Sequence, residues 1–335
     1  MLRVGINGFG RVGRQVLRQA VGRDGLQVVA VNSPANREIY CHLLRRDSTY
    51  GAFPLPVDLT DDGLRVGDHE IVFTQEDGPG TIPWRDAQVD VVVESSGRFR
   101  DGEVARRHLG DGGPTKVVIT GPATDHDLTV VLGINETLYD PQKHDVISNA
   151  SCTTNCLAPV ARVMDDRFGI RSGLMNTVHS YTTDQRLLDS SHKDPRRARA
   201  AADNIVPTTT GAAVAVGEVL PMLKGKLDGF AVRVPTPTVS LLDLTLVLEN
   251  EATEGEIEGA MRDAACGDLK GILAVSDDPV VSSDFRGCEF SAVVDLPLTR
   301  VVGGNMARVV AWYDNELAYS TRVVDLVHYI ASKGL

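Results

Sequence analysis

Residues 2–21 read LRVGINGFGRVGRQVLRQAV, and their pattern decides the fold of this chain. A short apolar run is followed by three glycines in G-x-G-x-x-G spacing and then by helix-forming residues; the glycines are Gly8, Gly10 and Gly13. In such a strand-to-helix turn, the first glycine permits the tight turn and the second lets the backbone approach a pyrophosphate. The third lets the helix pack closely on the strand, and the phosphates rest on the helix N-terminus. This context favours a dinucleotide site over a glycine-rich turn without a ligand.

The rest of the first 150 residues keeps alternating apolar runs with helix-compatible stretches. Val and Ile dominate the runs, which is typical of parallel strands buried on both faces. The predicted strands are LRVGIN (2–7), LQVVAVN (26–32), VDVVVESSG (89–97), KVVITGPA (116–123), TVVLGIN (129–135) and DVISNAS (145–151). The stretch 47–86 is less regular, and a hairpin is expected there. We therefore predict an α/β protein whose residues 1–150 form a Rossmann-type doubly wound parallel sheet that binds a dinucleotide.

Beyond residue 151 the apolar runs become longer and partly alternating, which is typical of antiparallel strands. These runs are GLMNTVHSYT (173–182), GFAVRVPTPTVSLLDLTLVLE (229–249), CEFSAVVDLPL (288–298) and NMARVVAWYD (305–314). Helical spacing of apolar residues predicts helices over 254–265 and near the end of the chain. Residues 151–315 are thus predicted to form an α+β catalytic domain with a mostly antiparallel sheet.

Composition narrows the class of protein. The chain has 335 residues, 42% of them hydrophobic and 24% charged, which is close to the average of globular proteins. We expect no membrane span, because no apolar run approaches 18 residues. The net charge of −11 disfavours a nucleic-acid partner. The five scattered cysteines lack zinc-site spacing, so no metal is expected; with no leader pattern, they indicate a reduced, cytoplasmic protein.

The end of the second predicted strand reads Asn32-Ser33-Pro34. A dinucleotide site usually has an acid here, which binds the adenosine ribose 2′-hydroxyl and repels a 2′-phosphate. Ser33 lacks that charge and is able to donate to a phosphate. Two readings stay open at this position: an NAD site with weaker ribose contacts, or a site that accepts NADP.

The segment SNASCTTNC, residues 148–156, follows a strand and opens a predicted helix. Cys152 is placed in the first helical turn, where unpaired N–H groups and the helix dipole favour a thiolate over a thiol. The flanking Ser, Thr and Asn residues argue against a buried structural cysteine. Cys156, one turn later, is a redox partner or, more simply, an inert neighbour. Cys152 is therefore the candidate nucleophile.

His179 stands at the end of a predicted strand and is one of eight histidines. A cysteine nucleophile needs an imidazole close in space, a proximity that the sequence alone does not show. Residues 193–199, KDPRRAR, carry four cations, and Arg233 lies in an apolar strand. An arginine in such a strand indicates an anion ligand, whereas an exposed run such as 196–199 is more often only a solvated face.

Seven stretches together resemble the glyceraldehyde-3-phosphate dehydrogenase family, in order and over nearly the whole chain. They are NGFGRVGR, SNASCTTNCLAP, HSYTTDQ, HKDPRRARAA, PTTTGAA, KGKLDGFAVRVPTPTVS and WYDNE. The resemblance implies phosphorylating oxidation of glyceraldehyde 3-phosphate with NADP, NAD or both, and a homotetramer. It also implies that the terminal helix, residues 316–335, returns to the dinucleotide domain. The alternatives are an erythrose-4-phosphate dehydrogenase or a non-catalytic binding or regulatory protein on the same fold.

The resemblance also implies roles for individual residues. Cys152 is the nucleophile and His179 the base. The implied cofactor-binding residues are Gly8, Gly10, Arg11, Val12, Gly13, Asn32, Ser33, Ser96, Gly97, Thr120, Ser191, Asn315 and Tyr319. Those for substrate and inorganic phosphate are Ser151, Thr153, Thr182, Asp184, Arg197, Thr210, Gly211 and Arg233.

Two departures from the family pattern stand out. Leu317-Ala318 replaces an aromatic residue and a glycine after the Asn-Glu of WYDNE, and Ser33 replaces the acid. The loop LDSSH, residues 188–192, is similar to the serine-bearing loop of photosynthetic NADP-using members. This resemblance implies that Ser191 of this chain is able to reach the 2′-phosphate, from the same or a neighbouring subunit. Because the acid that repels this phosphate is missing, we expect NADP or dual use in preference to strict NAD.

Overall fold

The computed structural model describes residues 1–110 and 112–335, which divide into two units. The first unit comprises Met1–Val130, Thr137–Ala150 and Ser320–Leu335, and the second comprises Val131–Glu136 and Ser151–Tyr319. The helices are α1 (Arg11–Ala20), α2 (Arg37–Arg45), α3 (Gly102–Ala105), α4 (Cys152–Phe168), α5 (Ala212–Val219), α6 (Glu254–Cys266) and α7 (Leu317–Lys333). Helix α7 begins in the second unit, and its residues from Ser320 onward belong to the first. None of the described helices is long and apolar enough to cross a membrane.

Within the described residues, the first unit is built on a nine-stranded sheet and a small two-stranded one. Its strands are β1 (Leu2–Asn7), β2 (Leu26–Asn32), β3 (Arg46–Asp47), β4 (Gly51–Ala52), β5 (Val57–Leu59), β6 (Gly63–Val66), β7 (His69–Thr74), β8 (Val91–Glu94), β9 (Lys116–Ile119), β10 (Leu128–Thr129) and β11 (Val146–Ser148). The large sheet has the order β10-β11-β9-β8-β1-β2-β7-β6-β5. Pairing is parallel from β10 to β7, whereas β7, β6 and β5 form the expected antiparallel hairpin. This is the predicted doubly wound parallel sheet.

Strand β1 lies between β2 and β8, so the connection reverses direction at β1. Ligands of such sheets bind beyond the carboxyl ends of the strands at this switch point. Asn7, Asn32 and Glu94 are the last residues of β1, β2 and β8, and all three side chains stand at that edge. The fold therefore places the glycine turn after β1 at the position where a dinucleotide binds.

Two of the three motif glycines are required by the protein itself. Gly8 has a φ of +90°, and a Cβ on it would lie 2.3 Å from the Ser96 nitrogen. A Cβ on Gly13 would lie 2.2 Å from the Gly8 carbonyl oxygen. By contrast, a Cβ on Gly10 meets no described atom within 4 Å. The reason for a glycine at position 10 therefore lies outside the chain, which fits a backbone that a ligand approaches.

The described residues of the second unit form an eight-stranded sheet. Its strands are β12 (Ile170–Ser180), β13 (Val206–Thr208), β14 (Leu227–Val234), β15 (Ser240–Leu248), β16 (Leu273–Ser276), β17 (Ala292–Asp295), β18 (Arg300–Val302) and β19 (Met306–Tyr313). The order is β13-β14-β12-β15-β19-β17-β16, with β18 also paired to β19. Most pairs are antiparallel, as predicted, and the helices expected near 254–265 and at the chain end are α6 and α7.

Two pairs differ from the antiparallel expectation, because β12 pairs with β14 and β16 with β17 in parallel. Parallel neighbours need a long crossover. The chain between β12 and β14 supplies one, since it contains a long loop, β13 and helix α5. The composition of the apolar runs alone does not predict that the chain crosses over and places β14 parallel to β12.

Two predicted strands are much shorter than expected. Of TVVLGIN (129–135), only Thr129 is in a strand, because the chain turns after Val131 and the Asn135 side chain accepts a hydrogen bond from the Val131 N–H. Of CEFSAVVDLPL (288–298), only Ala292–Asp295 is a strand, and a 3₁₀ turn at Leu296–Leu298 follows. Val130, Val131 and Leu296 are nonetheless buried, so these apolar runs report burial rather than strand length.

Candidate active site

The candidate nucleophile stands at the start of a helix. Helix α4 begins at Cys152, and its N-cap residue Ser151 accepts a hydrogen bond from the Thr154 N–H at 3.0 Å. The chain turns sharply just before this point, where Ala150 has a φ of +54°. The Cys152 Sγ lies 3.5 Å from the His179 Nε2. The structure therefore brings together the cysteine and the histidine that the sequence singles out.

Strand register explains how His179 meets Arg233. These two residues are direct neighbours in the parallel pair of β12 and β14, so their side chains leave the sheet on the same face. The His179 Nδ1 lies 2.7 Å from the Ser180 carbonyl oxygen, to which it donates. Arg233 Nη1 donates to the same carbonyl at 3.0 Å. The Ser180 carbonyl oxygen only accepts, so its 2.7 Å contact places the ring proton on Nδ1; Arg233 Nη1 also lies 2.9 Å from Nδ1, and it donates to the carbonyl and not to the ring. Nε2 is then the acceptor that faces the thiol, as a general base requires.

Burial governs the charge state of this pair. It raises the pKa of Cys152, although the Arg233 charge acts in the opposite direction. Burial, together with the same arginine, lowers the pKa of His179 to about 3. The two groups are therefore a neutral thiol and a neutral imidazole in this structure. A helix start favours a thiolate, as the sequence predicts, whereas the surroundings of Cys152 in the fold raise the pKa of its thiol.

Tyr313 supports both members of the pair, and the sequence analysis does not find it. Its hydroxyl contacts Thr153 Oγ1 at 2.9 Å and Thr177 Oγ1 at 2.8 Å. Its ring meets the His179 imidazole edge-on at 6.0 Å between centroids. Burial raises its pKa, so the phenol stays protonated. The only available signal was its place beside Asn315 in WYDNE.

Asn315 is held in one orientation. The hydroxyls of Ser180 and Ser240 donate to its Oδ1 at 2.9 and 3.0 Å, which leaves the amide nitrogen on the other side. Leu317 and Ala318, the departure from the family pattern, are both buried. The departure therefore leaves the hydrogen bonds of the Asn315 amide oxygen intact.

Arg233 is also suited to hold an anion. Its Nη1 lies 3.5 Å from Thr182 Oγ1, and its Nε is buried without a hydrogen-bond partner among the described residues. Burial lowers the pKa of this guanidinium. A buried donor without a partner costs free energy unless a ligand accepts from it.

Arg197 is the centre of a second polar cluster, in which Asp184 and Asp194 are its ion-pair partners. Its guanidinium donates to Thr208 Oγ1 at 2.8 Å, to Asp184 Oδ2 at 2.5 Å and to the Thr209 carbonyl oxygen at 3.1 Å. Asp184 is an acceptor, so it orients Arg197 rather than binding an anion itself. Thr210 and Gly211 stand at the start of α5, where the Thr210 hydroxyl accepts from the Ala212 N–H. Thr208 was not among the predicted site residues.

The predicted cofactor residues divide between the two units. Arg11 binds Asp47 at 2.6 Å, so Arg11 and Val12 offer their backbone N–H groups in the first turn of α1. Ser96 and Gly97 follow β8, Thr120 follows β9, and Asn32 and Ser33 end β2 and are buried. Ser191, Asn315 and Tyr319 belong to the second unit. Ser191 is exposed, and its carbonyl accepts from Arg186 Nε.

The other cysteines differ from Cys152 in their surroundings. Cys156 is fully buried on α4, and burial raises its pKa well above the ordinary value. All five cysteines are free thiols. Among the described residues, no group of His, Cys, Asp and Glu is arranged to hold a metal ion.

Comparisons with known proteins identify the family of the chain. Residues 2–102 match the model of the glyceraldehyde 3-phosphate dehydrogenase NAD binding domain, and residues 151–315 match that of the C-terminal domain. The chain is 54% identical to glyceraldehyde-3-phosphate dehydrogenase of Geobacillus stearothermophilus over 334 residues, which is 100% of this chain and 99% of the relative.

Two further relatives carry related names. Glyceraldehyde-3-phosphate dehydrogenase 1 of Bacillus cereus is 51% identical over 335 residues, covering 100% of both chains. Glyceraldehyde-3-phosphate dehydrogenase 2 of Streptomyces avermitilis is 49% identical over 334 residues, covering 99% of both. With both family models matched and identities near one half over the full length, this chain belongs to the glyceraldehyde-3-phosphate dehydrogenase family.

Proposed function

We propose that this chain catalyses the reversible phosphorylating oxidation of D-glyceraldehyde 3-phosphate to 1,3-bisphosphoglycerate with NAD or NADP. The observation that carries the proposal is the 3.5 Å contact between Cys152 Sγ and the acceptor nitrogen of His179, with Arg233 beside it. The names of the relatives favour this activity over erythrose 4-phosphate oxidation and over a non-catalytic role. Residues 1–150 with the terminal helix are proposed as the dinucleotide domain, and 151–315 as the catalytic domain.

The first unit fits the cofactor. The open space above Gly10, the N–H groups at the start of α1 and the strand ends at Asn32 and Ser96 match what a pyrophosphate and a ribose need. In the second unit, Asn315 presents an oriented amide that fits a carboxamide partner. When bound, the nicotinamide ring supplies the acceptor for the hydride.

The chain's own residues perform the remaining chemistry. Cys152 Sγ adds to the aldehyde carbon while His179 Nε2 takes the thiol proton. His179 then passes this proton to the former carbonyl oxygen, which becomes the hydroxyl of the hemithioacetal. His179 then takes the proton of that hydroxyl as the carbon is oxidised to a thioester. Inorganic phosphate, as hydrogen phosphate, attacks the thioester carbon and releases its proton to solvent, and Cys152 leaves as a thiolate that regains a proton from His179. The energy of oxidation is thereby kept in an acyl phosphate.

Two anion sites hold the reactants. We assign the phosphate of the substrate to Arg233 and Thr182, because the guanidinium Nη1 lies 3.5 Å from the Thr182 hydroxyl and the two together offer a positive charge and a hydroxyl donor. Inorganic phosphate is assigned to Arg197, Thr210, Gly211, Ser151 and Thr153, with Asp184 acting through Arg197. Holding both reactants lowers the entropic cost of each step.

A homotetramer is proposed from the outer face of the second sheet. Strand register places Leu174, Phe230 and Met306 on one face, and their side chains are 67%, 49% and 43% exposed. Large apolar side chains exposed together are typical of an interface. A second copy of this chain would cover them.

Sedimentation velocity tests this assembly. We expect the mass of four chains for the native protein, and a smaller species for the double variant Leu174→Glu/Phe230→Glu, because burying two carboxylates at an interface is costly. Leu138→Glu, at an apolar position of the first unit that is 60% exposed, serves as the matched control and should keep the native mass. A native monomer would refute the proposal.

Steady-state assays with phosphate and with glyceraldehyde 3-phosphate or erythrose 4-phosphate test the activity. We expect the first aldehyde to be preferred and Cys152→Ser to abolish its oxidation, because a hydroxyl does not supply an anionic nucleophile at neutral pH. Cys156→Ser should keep substantial activity. Inactivation by iodoacetamide that modifies Cys156 and spares Cys152 would contradict the assignment.

His179→Asn should slow the chemical step by roughly 10²- to 10⁴-fold, the usual effect of losing a positioned base. The pH at which iodoacetamide alkylation of Cys152 is half-maximal should rise, because the thiol loses its proton acceptor. Cofactor affinity should change little. Unaltered turnover together with an unaltered alkylation profile would remove His179 from the mechanism.

Cofactor choice is proposed to depend on Ser33. We expect the native enzyme to accept NADP, and Ser33→Asp to shift the ratio of kcat/KM strongly towards NAD, because the added carboxylate repels the 2′-phosphate. The measurement is kcat/KM for both cofactors in both proteins. A native preference for NAD of about a hundredfold, with no further shift in the variant, would show that Ser33 does not govern the choice.

A further inference from the structure

A chain of polar side chains, all buried except the partly exposed Thr74, runs across the carboxyl ends of four strands in the first unit, and the proposed function above uses only Asn32 of it. It consists of Trp84, His108, Glu94, Asn7, Asn32 and Thr74, which we call the strand-end network. Asn7, Glu94, Asn32 and Thr74 end β1, β8, β2 and β7, respectively. Glu94 is 2% exposed, and His108 is 3% exposed. Buried polar groups of this kind must satisfy one another.

The indole of Trp84 sets the tautomer of His108. Trp84 Nε1–H is a donor only, and it donates to His108 Nδ1 at 3.0 Å. The Nδ1 atom is therefore an acceptor, so the ring proton is on Nε2, which lies 3.0 Å from Glu94 Oε2. His108 thus accepts a hydrogen bond from Trp84 through Nδ1 and donates one to Glu94 through Nε2.

Glu94 receives hydrogen bonds on both oxygens. Oε1 accepts from the backbone N–H of Ser96 at 2.8 Å and from its hydroxyl, and Oε2 accepts from His108 and from Asn7 Nδ2. Four donors surround it, which fits a carboxylate and not a carboxylic acid. Each donor therefore has a fixed direction.

The donor and acceptor roles are also fixed in the hydrogen bonds that continue from β1 to β2 and β7. Because Asn7 Nδ2 donates to Glu94, its Oδ1 accepts from Asn32 Nδ2 at 2.8 Å. Asn32 Oδ1 in turn accepts from Thr74 Oγ1 at 2.8 Å and from the Glu76 N–H at 2.9 Å. Reversing one amide would place two donors or two acceptors face to face.

Two members of this network, Asn32 and Glu94, precede residues of the cofactor proposal in the chain. On one side, Ser33 follows Asn32, and its N–H donates to the Thr74 carbonyl at 3.0 Å. On the other side, Ser95 and Ser96 follow Glu94. The Ser95 hydroxyl donates to the Gly8 carbonyl at 2.7 Å, and the Gly8 N–H donates to the Asn32 carbonyl at 2.8 Å. The network thus joins the glycine turn to the ribose end.

We infer that Glu94 and His108 are positioning residues for the dinucleotide: the strand-end network fixes the distance between the Gly8 turn and the Asn32-Ser33 pair. This inference rests on the proposed cofactor site. Neither side chain needs to touch the cofactor, because each acts through Asn7, Asn32 and Ser96. Without the network, the distance between the Gly8 turn, which is proposed to bind the pyrophosphate, and the Asn32-Ser33 pair, which is proposed to bind the ribose, is no longer fixed. Cofactor affinity therefore falls, whereas the chemistry at Cys152 is unaffected.

The first test is Glu94→Gln. A glutamine has one acceptor oxygen and one donor nitrogen, so in either orientation its nitrogen faces donors from Ser96 or from Asn7 and His108. We expect the dissociation constants of NAD and NADP, measured by calorimetry, to rise roughly fivefold or more. At saturating cofactor, kcat should stay within about twofold of the native value.

Asp127→Asn is the matched control. Asp127 is a carboxylate of the same unit that accepts from two backbone N–H groups and from Arg106, but it lies at the amino ends of β10 and β11. This variant should lose stability without weakening cofactor binding. If both variants weaken binding equally, loss of stability explains the effect and the inference is wrong.

His108 gives a second, independent test. Glutamine keeps one donor for Glu94 and one acceptor for Trp84, whereas phenylalanine removes both. We expect His108→Phe to weaken cofactor binding as Glu94→Gln does, and His108→Gln to restore most of the affinity. The sequence has two tryptophans, so Trp312→Phe leaves Trp84 as the one fluorophore of its kind. In that background, the Trp84 emission of the cofactor-free protein should change with Phe and return with Gln.

The outcomes separate this inference from the proposed function. If Ser33→Asp shifts cofactor choice while Glu94→Gln and His108→Phe leave both dissociation constants unchanged, the cofactor site stands and the positioning role falls. If Trp84 emission changes without any change in affinity, the network is structural only, and the inference is likewise overturned. If Ser33→Asp has no effect but Glu94→Gln weakens binding, the ribose assignment fails and the network acts on the glycine turn alone.

Discussion

The proposed chemistry of the second unit depends on the contact between Cys152 and His179. A thiol and an imidazole react as a pair only when they stay within hydrogen-bond reach and their nitrogen and proton are correctly oriented. The helix start fixes Cys152, and the Ser180 carbonyl fixes the tautomer of His179. Burial keeps both groups neutral, which makes the transfer of one proton between them the event that creates charge.

Arg233 lies beside this pair and is the residue proposed to bind the phosphate of the substrate. It is the β14 neighbour of His179 in a parallel register. One strand pairing therefore positions both the base and the hydrogen-bond donor that is proposed to bind an anion. The positive charge acts on the thiol and the imidazole in the same direction, because it lowers the pKa of each. An anion bound to Arg233 would reduce this influence on both groups and would therefore raise the pKa of the thiol and of the imidazole together.

Much of this was predictable from sequence, for reasons that differ between residues. Gly8 and Gly13 are dictated by the local backbone, and Cys152 by the helix start, so short motifs reveal them. The pairing of His179 with Arg233 and the support from Tyr313 depend on which strands are neighbours. That register arises from the packing of elements far apart in the chain, and no local pattern encodes it. The same holds for the two parallel pairs, β12 with β14 and β16 with β17, which were expected to be antiparallel.

The first unit shows the same division between local and long-range information. Glu94 and His108 look like ordinary polar residues after apolar runs, yet burial makes each hydrogen bond in their chain depend on the next. Removing a carboxylate from water is costly unless donors surround it, and here four do so. Because these hydrogen bonds join the ends of β1, β2 and β8, they hold the strand ends at a fixed spacing. That rigidity is what a ligand bound at two distant points of the same edge requires.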